Sequence, residues 1–119
     1  MPDSRATAEY CAGKLKALSD PLRLRIVKLL QQGELAVGDI CEFLETEMVL
    51  VSHHLQILKE AQLVEARREG RYMVYRLKPG LLKPGPTGSP PQLDFGCCQL
   101  QVPAGPADPP SPPPATPAS

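Results

Sequence analysis

Two groups of residues in this 119-residue chain have types and spacings suited to chemistry. The first is Cys97-Cys98, set in Leu93-Asp-Phe-Gly-Cys-Cys-Gln-Leu-Gln-Val-Pro103, an apolar island inside a proline-rich stretch. A linker has no use for adjacent cysteines. Two neighbouring thiolates suit a soft thiophilic ion or reversible oxidation. The plainer alternative is a small strand or clasp that docks on a folded domain and carries its cysteines incidentally. Cys11 and Cys41 fall on apolar stripes, where a small buried thiol packs as a hydrophobe, and either could complete a thiolate set. The second group lies between Thr46 and Ala61. At about 100° per residue, Val51, His54, Leu55, Leu58 and Ala61 share one side of a helix, and Val49, Ser52, His53, Gln56, Lys59 and Glu60 share the other. The first side needs a core, which makes His54 a core or interface histidine. The second carries hydroxyl, imidazole, amide and ammonium groups that can meet base edges and phosphates.

The elements that must hold these groups follow from periodicity. Ala8, Cys11, Leu15 and Leu18 predict an amphipathic helix over 6–18. Ser19-Asp20-Pro21 starts a second helix with a capping side chain and an N1 proline; Leu22, Ile26, Leu29 and Leu30 form its buried stripe, and Gln31-Gln32-Gly33 ends it. Val37, Ile40, Cys41 and Leu44 at i, i+3, i+4 and i+7 give a short third helix. A break near Glu45 leads to the fourth, for which Thr46 is the expected N-cap. Two helices joined by a short turn make a helix-turn-helix. After Gln62 the period becomes two: strands over 63–67 and 71–77 flank Arg68-Glu69-Gly70, with Met73, Tyr75 and Leu77 facing inward. An Arg-rich hairpin beyond a recognition helix is a wing, and Arg67, Arg68 and Arg71 at its tip suit a backbone or minor-groove contact.

Formal net charge is zero, yet it is unevenly spread. Residues 1–48 carry six Lys/Arg against eight Asp/Glu, and residues 49–83 carry seven against three, a local net of +4 where helix and wing would meet DNA. No stretch approaches the roughly 20 apolar residues of a membrane span. Met1-Pro-Asp-Ser-Arg5 lacks the charged and apolar sections of a secretion signal. A cytoplasmic protein with mostly reduced cysteines and no structural disulfide is therefore expected. From residue 84 onward 12 of 36 residues are proline. The expected organisation is a mainly α winged helix-turn-helix for DNA binding and dimerisation over 1–83, a tail segment with the cysteine pair over 84–102, and a disordered proline-rich tail over 103–119. About 80 folded residues are few for one core, and a dimer would relieve the shortage. An enzyme is not expected: no Gly-rich phosphate loop, metal-spaced carboxylate pair or Cys-His-Asn order appears, and the vicinal cysteines lack a two-residue spacer.

Several blocks in order, Leu18-Ser-Asp-Pro-Leu-Arg-Leu-Arg-Ile-Val-Lys-Leu-Leu30, Gly33-Glu-Leu-Ala-Val-Gly-Asp-Ile40, Val51-Ser-His-His-Leu-Gln-Ile-Leu-Lys-Glu-Ala61, Leu63-Val64 and Arg67-Arg-Glu-Gly-Arg-Tyr-Met-Val-Tyr-Arg-Leu77, resemble the ArsR/SmtB family of winged-helix repressors over roughly residues 8–78. The resemblance implies a homodimer on a palindromic operator, released by a metal, metalloid or other inducer, with no cofactor required. Arsenite or antimonite is the first candidate and Zn(II) or Cd(II) the second. Trivalent arsenic or antimony takes three thiolates. Cys97 and Cys98 offer two, leaving the third to Cys11, Cys41, a partner subunit or an exogenous thiol. The chain departs from the family pattern in four places. Glu45 stands at the usual turn glycine, Glu47-Met48-Val49-Leu50 replaces a polar helix start, and Ala36-Val37-Gly38 replaces the third-helix Cys-Val-Cys motif. Pro79-Gly-Leu-Leu-Lys-Pro84 cannot continue as the usual last dimerisation helix. Val49 in particular could read a thymine methyl. Two other readings remain: a thiol-redox-sensing repressor, and a winged-helix module that docks proteins through its apolar face and proline-rich tail.

Overall fold

A computed structural model describes residues 7–102, and its helices begin where local chemistry favours them. In α1 (Ala8–Leu18) the Thr7 hydroxyl accepts from the Tyr10 N–H at 3.1 Å. In α2 (Pro21–Leu30) the Asp20 carboxylate accepts from the N–H groups of Leu22 and Arg23 at 2.8 and 3.2 Å, with Pro21 in the first turn. The helix-turn-helix is α3 (Val37–Leu44) and α4 (Met48–Glu60). Ile26 of α2, Ile40 of α3, and Val51, Leu55 and Leu58 of α4 are wholly buried where these three helices meet. Each such side chain contributes about 1.5–3 kcal/mol, so α4 is seated on the most deeply buried side chains among the described residues.

Two expectations about helix registers are corrected. Leu15, placed by spacing on the inner stripe of α1, is 45% exposed, and the buried positions are Lys14, Ala17 and Leu18. The helix is turned so that the Lys14 ammonium reaches the carbonyl of Ala61 at the end of α4. Thr46 does not cap α4: the cap position is Glu47, without a side-chain bond, and the Thr46 hydroxyl donates back to the Leu44 carbonyl at 2.8 Å.

The turn between α3 and α4 explains that second correction. Glu45 takes the left-handed conformation (φ 50°, ψ 47°); its N–H donates to Glu42 and the N–H of Thr46 donates to Cys41. This is the double hydrogen bond of a Schellman helix ending, normally built on glycine. A left-handed L-residue costs about 1–2 kcal/mol, and glycine gives back about 0.4–1 kcal/mol through unfolded-chain entropy. Glu45→Gly is therefore expected to stabilise the fold by up to about 1 kcal/mol, read as a higher urea midpoint; a lower midpoint would mean the side chain supplies something the backbone geometry does not.

The wing is the antiparallel sheet β1 (Leu35–Ala36), β3 (Tyr72–Leu77), β2 (Val64–Glu69), in that order. Pairing runs from Val64 with Leu77 to Glu69 with Tyr72, so the loop is Gly70-Arg71 and not the expected Arg68-Glu69-Gly70. Gly70 at φ 65° provides the Gly-X turn that matches the strand twist.

The segment after the wing forms a second three-stranded antiparallel sheet, β4 (Leu82–Lys83), β5 (Gln92–Asp94) and β6 (Gln99–Leu100), ordered β4-β5-β6. Leu93 (1% exposed), Phe95 (4%) and Val102 join the same buried cluster as the helices. The Gln31 side-chain amide donates to the Val102 carbonyl at 2.6 Å, and the Asp94 N–H donates to Leu81 at 2.8 Å. The disordered tail expected over 103–119 lies outside the described residues. Among the described residues no helix is long and apolar enough to cross a membrane.

Candidate thiol cluster and nucleic-acid interface

The β5–β6 hairpin turns at Gly96-Cys97: Gly96 has φ 88°, its N–H donates to the Asp94 carboxylate at 2.8 Å, and the Phe95 N–H donates to the Cys98 carbonyl at 3.0 Å. With Phe95 anchored in the core, the turn presses its cysteines against α1. Cys11 and Cys97 form a disulfide with Cα atoms 6.0 Å apart, and Cys98 keeps a free, half-buried thiol. The Cys98 sulfur lies 3.5 Å from that of Cys11 and 3.9 Å from that of Cys97, and all three sulfurs lie within 4.8 Å of one another. Two sulfurs each about 2.3 Å from one ion at a tetrahedral angle would stand about 3.8 Å apart. The cluster thus has the chemistry of a soft-ion site when reduced and of a disulfide when oxidised.

The expectation of mostly reduced cysteines without a structural disulfide is corrected for one pair, Cys11 and Cys97. A two-residue turn and a packed Phe95 place Cys97 within bonding reach of a residue 86 positions away. Cys41 stands apart from the three-sulfur group. It is half-buried on α3, packed against the core, and burial pushes its thiol pKa up. Of the four candidate ligands, three come together and Cys41 serves packing.

On α4, Ser52, His53, Gln56 and Lys59 are exposed in one row, and Val49 is 81% exposed at the head of it. Met48 and Leu50 beside it, and Phe43 at the end of α3, are exposed as well, so the leading edge of α4 is apolar. The Gln56 amide donates to Glu60 at 3.2 Å. His54 is half-buried; its Nδ1 lies 3.0 Å from Arg23 Nη1, and Arg23 Nε donates to the Ala17 carbonyl at 2.6 Å. A guanidinium can only donate, so the His54 nitrogen accepts, and this link braces α4 against the start of α2.

One wing arginine is engaged within the protein. Arg67 is gripped by both oxygens of Glu34 (2.8 and 2.6 Å) and by Glu69 (2.6 Å), and that hydrogen bonding holds the Glu34 carboxyl below its ordinary pKa. Its charge is answered within the protein, so Arg67 braces the wing against the residue before β1. Arg68 and Arg71 remain exposed at the loop, Arg68 donating to the Gly70 carbonyl at 3.3 Å. Further down, Arg76 pairs with Glu65 at 2.6 Å. Sequence spacing missed Glu34, whose partner lies 33 residues on. It also missed Lys14, although a lysine on the Cys11, Lys14, Leu18 line was a visible signal.

The profile of the bacterial regulatory protein arsR family matches residues 20–66, which takes in the helix-turn-helix and the first half of β2 but none of the clustered cysteines. The transcriptional repressor SdpR of Bacillus subtilis is 40% identical over 68 residues, 57% of this chain and 76% of that protein. The arsenical resistance operon repressor of Escherichia coli is 43% identical over 65 residues, 54% of this chain and 56% of that one. Among solved structures, the homodimeric winged helix-turn-helix DNA-binding domain of a "possible ArsR-family transcriptional regulator" from Mycobacterium bovis superposes with a TM-score of 0.58 at 40% identity, covering 66% of this chain and 73% of that one. With the family profile over the helix-turn-helix and 40% identity across 76% of the SdpR repressor, the chain belongs to the arsR family of DNA-binding transcriptional regulators and is not an enzyme.

Proposed function

We propose that the protein is a homodimeric repressor that leaves a palindromic operator when a thiophilic metalloid, arsenite or antimonite first, is bound by Cys11, Cys97 and Cys98. The observation that carries this reading is the three sulfurs within 4.8 Å, assembled from α1 and the β5–β6 turn. Three thiolates match trivalent arsenic or antimony. Zn(II) and Cd(II) rank second because a closed tetrahedral site asks for a fourth ligand. The likeness to an arsenical resistance repressor supports the same choice. Operator contacts are assigned to Val49, Ser52, His53, Gln56 and Lys59 on α4 and to Arg68 and Arg71 on the wing, with Arg67 positioning the wing through Glu34. The homodimeric Mycobacterium bovis domain supports a dimer, and dimerisation is assigned to the outer side of α1, where Ala8, Ala12 and Leu15 are exposed at helical spacing. A two-fold dimer would place two reading helices one turn of DNA apart.

The Cys11–Cys97 disulfide favours a second reading, a thiol-oxidation switch. There the two thiols give two electrons and two protons to a two-electron oxidant such as a hydroperoxide, and the sulfur–sulfur bond forms. An operator mobility shift with the reduced full chain separates the two. Arsenite or antimonite is expected to release DNA under reducing conditions, zinc and cadmium less so. Release by hydroperoxide alone would select the redox switch, and a DNA complex indifferent to all of them would sink both. Binding should weaken steeply between low and moderate salt, as phosphate contacts require.

A further inference from the structure

A cavity of about 490 Å³ opens between α1, the end of α4 and the β3–β4 connection, bounded by Tyr10, Lys14, Gln62, Lys78, Lys83 and Asp94. That volume lies in the range of small-molecule sites. Lys14 is only 7% exposed. Its ammonium donates to the Ala61 carbonyl and lies 4.9 Å above the Tyr10 ring centre, and no carboxylate among the described residues pairs with it. Buried charges are ordinarily paired, because a lone one forfeits its hydration. Burial, with repulsion from Lys78, lowers the Lys14 pKa. The one carboxylate in the lining is committed elsewhere: Asp94 accepts from the Gly96 N–H at 2.8 Å and pairs with Lys83 at 3.3 Å. Lys78 is answered from outside the lining by Glu65 at 3.8 Å and Lys83 by Asp94, so Lys14 is the cation of the lining that no carboxylate answers.

We propose that this cavity binds a small oxyanion-bearing molecule, a carboxylate or a phosphate, that supplies the missing counter-charge to Lys14. The site is distinct from the thiol cluster, since none of the three clustered cysteines lines it. It is joined to the reading helix instead. Ala61 caps the C-terminus of α4, and Gln62 beside it holds a left-handed turn at φ 64°. A ligand that draws the ammonium from Ala61 acts directly on the end of the helix that meets DNA.

The test is a nitrogen-15 NMR titration of the reduced full chain with inorganic phosphate and, separately, with citrate, each against sodium chloride at matched ionic strength. Saturable shifts are expected at the Lys14, Gln62, Gly80 and Gly96 signals. Saturation by phosphate, by citrate or by both supports the site and identifies the oxyanion it prefers. Lys14→Gln is expected to raise the dissociation constant roughly tenfold or more, the loss of one charge-assisted contact. Lys78→Gln, which leaves the buried contact intact, should weaken binding severalfold and decides the matter if Lys14→Gln fails to fold. Shifts that stay linear and match the chloride control, or saturation indifferent to the substitutions in folded protein, would overturn the proposal.

Discussion

Serine at both Cys97 and Cys98 is expected to abolish release by arsenite while leaving operator affinity within about twofold, since neither side chain lies on α4 or the wing. An effector changes affinity by as much as it prefers one state over the other, commonly about 5–150-fold. Removing two of three soft donors takes that preference to near nothing, because a hydroxyl is a poor ligand for a thiophilic ion. Single substitutions sharpen the result. Cys98→Ser removes one thiolate from the cluster yet leaves the Cys11–Cys97 couple whole. It should lose the arsenite response and keep any oxidant response, whereas Cys11→Ser loses both. Cys41→Ser should behave as the parent protein, since Cys41 stands outside the cluster. A mobility shift across these four variants reads all of it, and an unchanged arsenite response in the double variant would refute the thiolate site.

The second large effect concerns stability. Leu93, 1% exposed, is within one per cent of the most buried side chains of the helices, and Leu93→Ala is expected to cost about 2–5 kcal/mol. Against a total of about 5–15 kcal/mol for a domain, that is a severe loss, visible in a urea melt as a lower midpoint. Phe95→Ala should cost about 3–5 kcal/mol and also loosen the turn that holds Cys97 and Cys98. If both variants melt within about 0.5 kcal/mol of the parent, as surface substitutions do, the β5 strand is not part of the core.

The α2–α3–α4 frame and the wing were legible from the sequence because each signals itself locally. Asp20-Pro21 caps a helix within three residues, and Gly70 punctuates a run of alternating residues. Of the second sheet only the alternative of a small strand or clasp around the cysteine pair was legible, without its pairing or bounds. The sheet's members are two or three residues long, too short for any period to show, and they are held by Leu93, Phe95 and Val102 reaching a distant core. The cysteine pair drew attention by its composition, but its third member did not, since Cys11 and Cys41 look alike on their stripes and only the fold separates them. Arg67 shows the same limit in electrostatics: a wing arginine is visible as a cation, and its neutralisation by Glu34 is not.

The bond between Cys11 and Cys97 has a topological side. It closes the chain into a covalent ring that contains α2, α3, α4 and the wing, leaving outside only the residues before Cys11 and those after Cys97. A closed loop of this length restricts the unfolded chain by about 4–5 kcal/mol in the chain-entropy account. Oxidised molecules would open more rarely than reduced ones and offer proteases fewer chances. The thiol poise of the surroundings would then set how long each copy of the regulator survives, as well as what it binds.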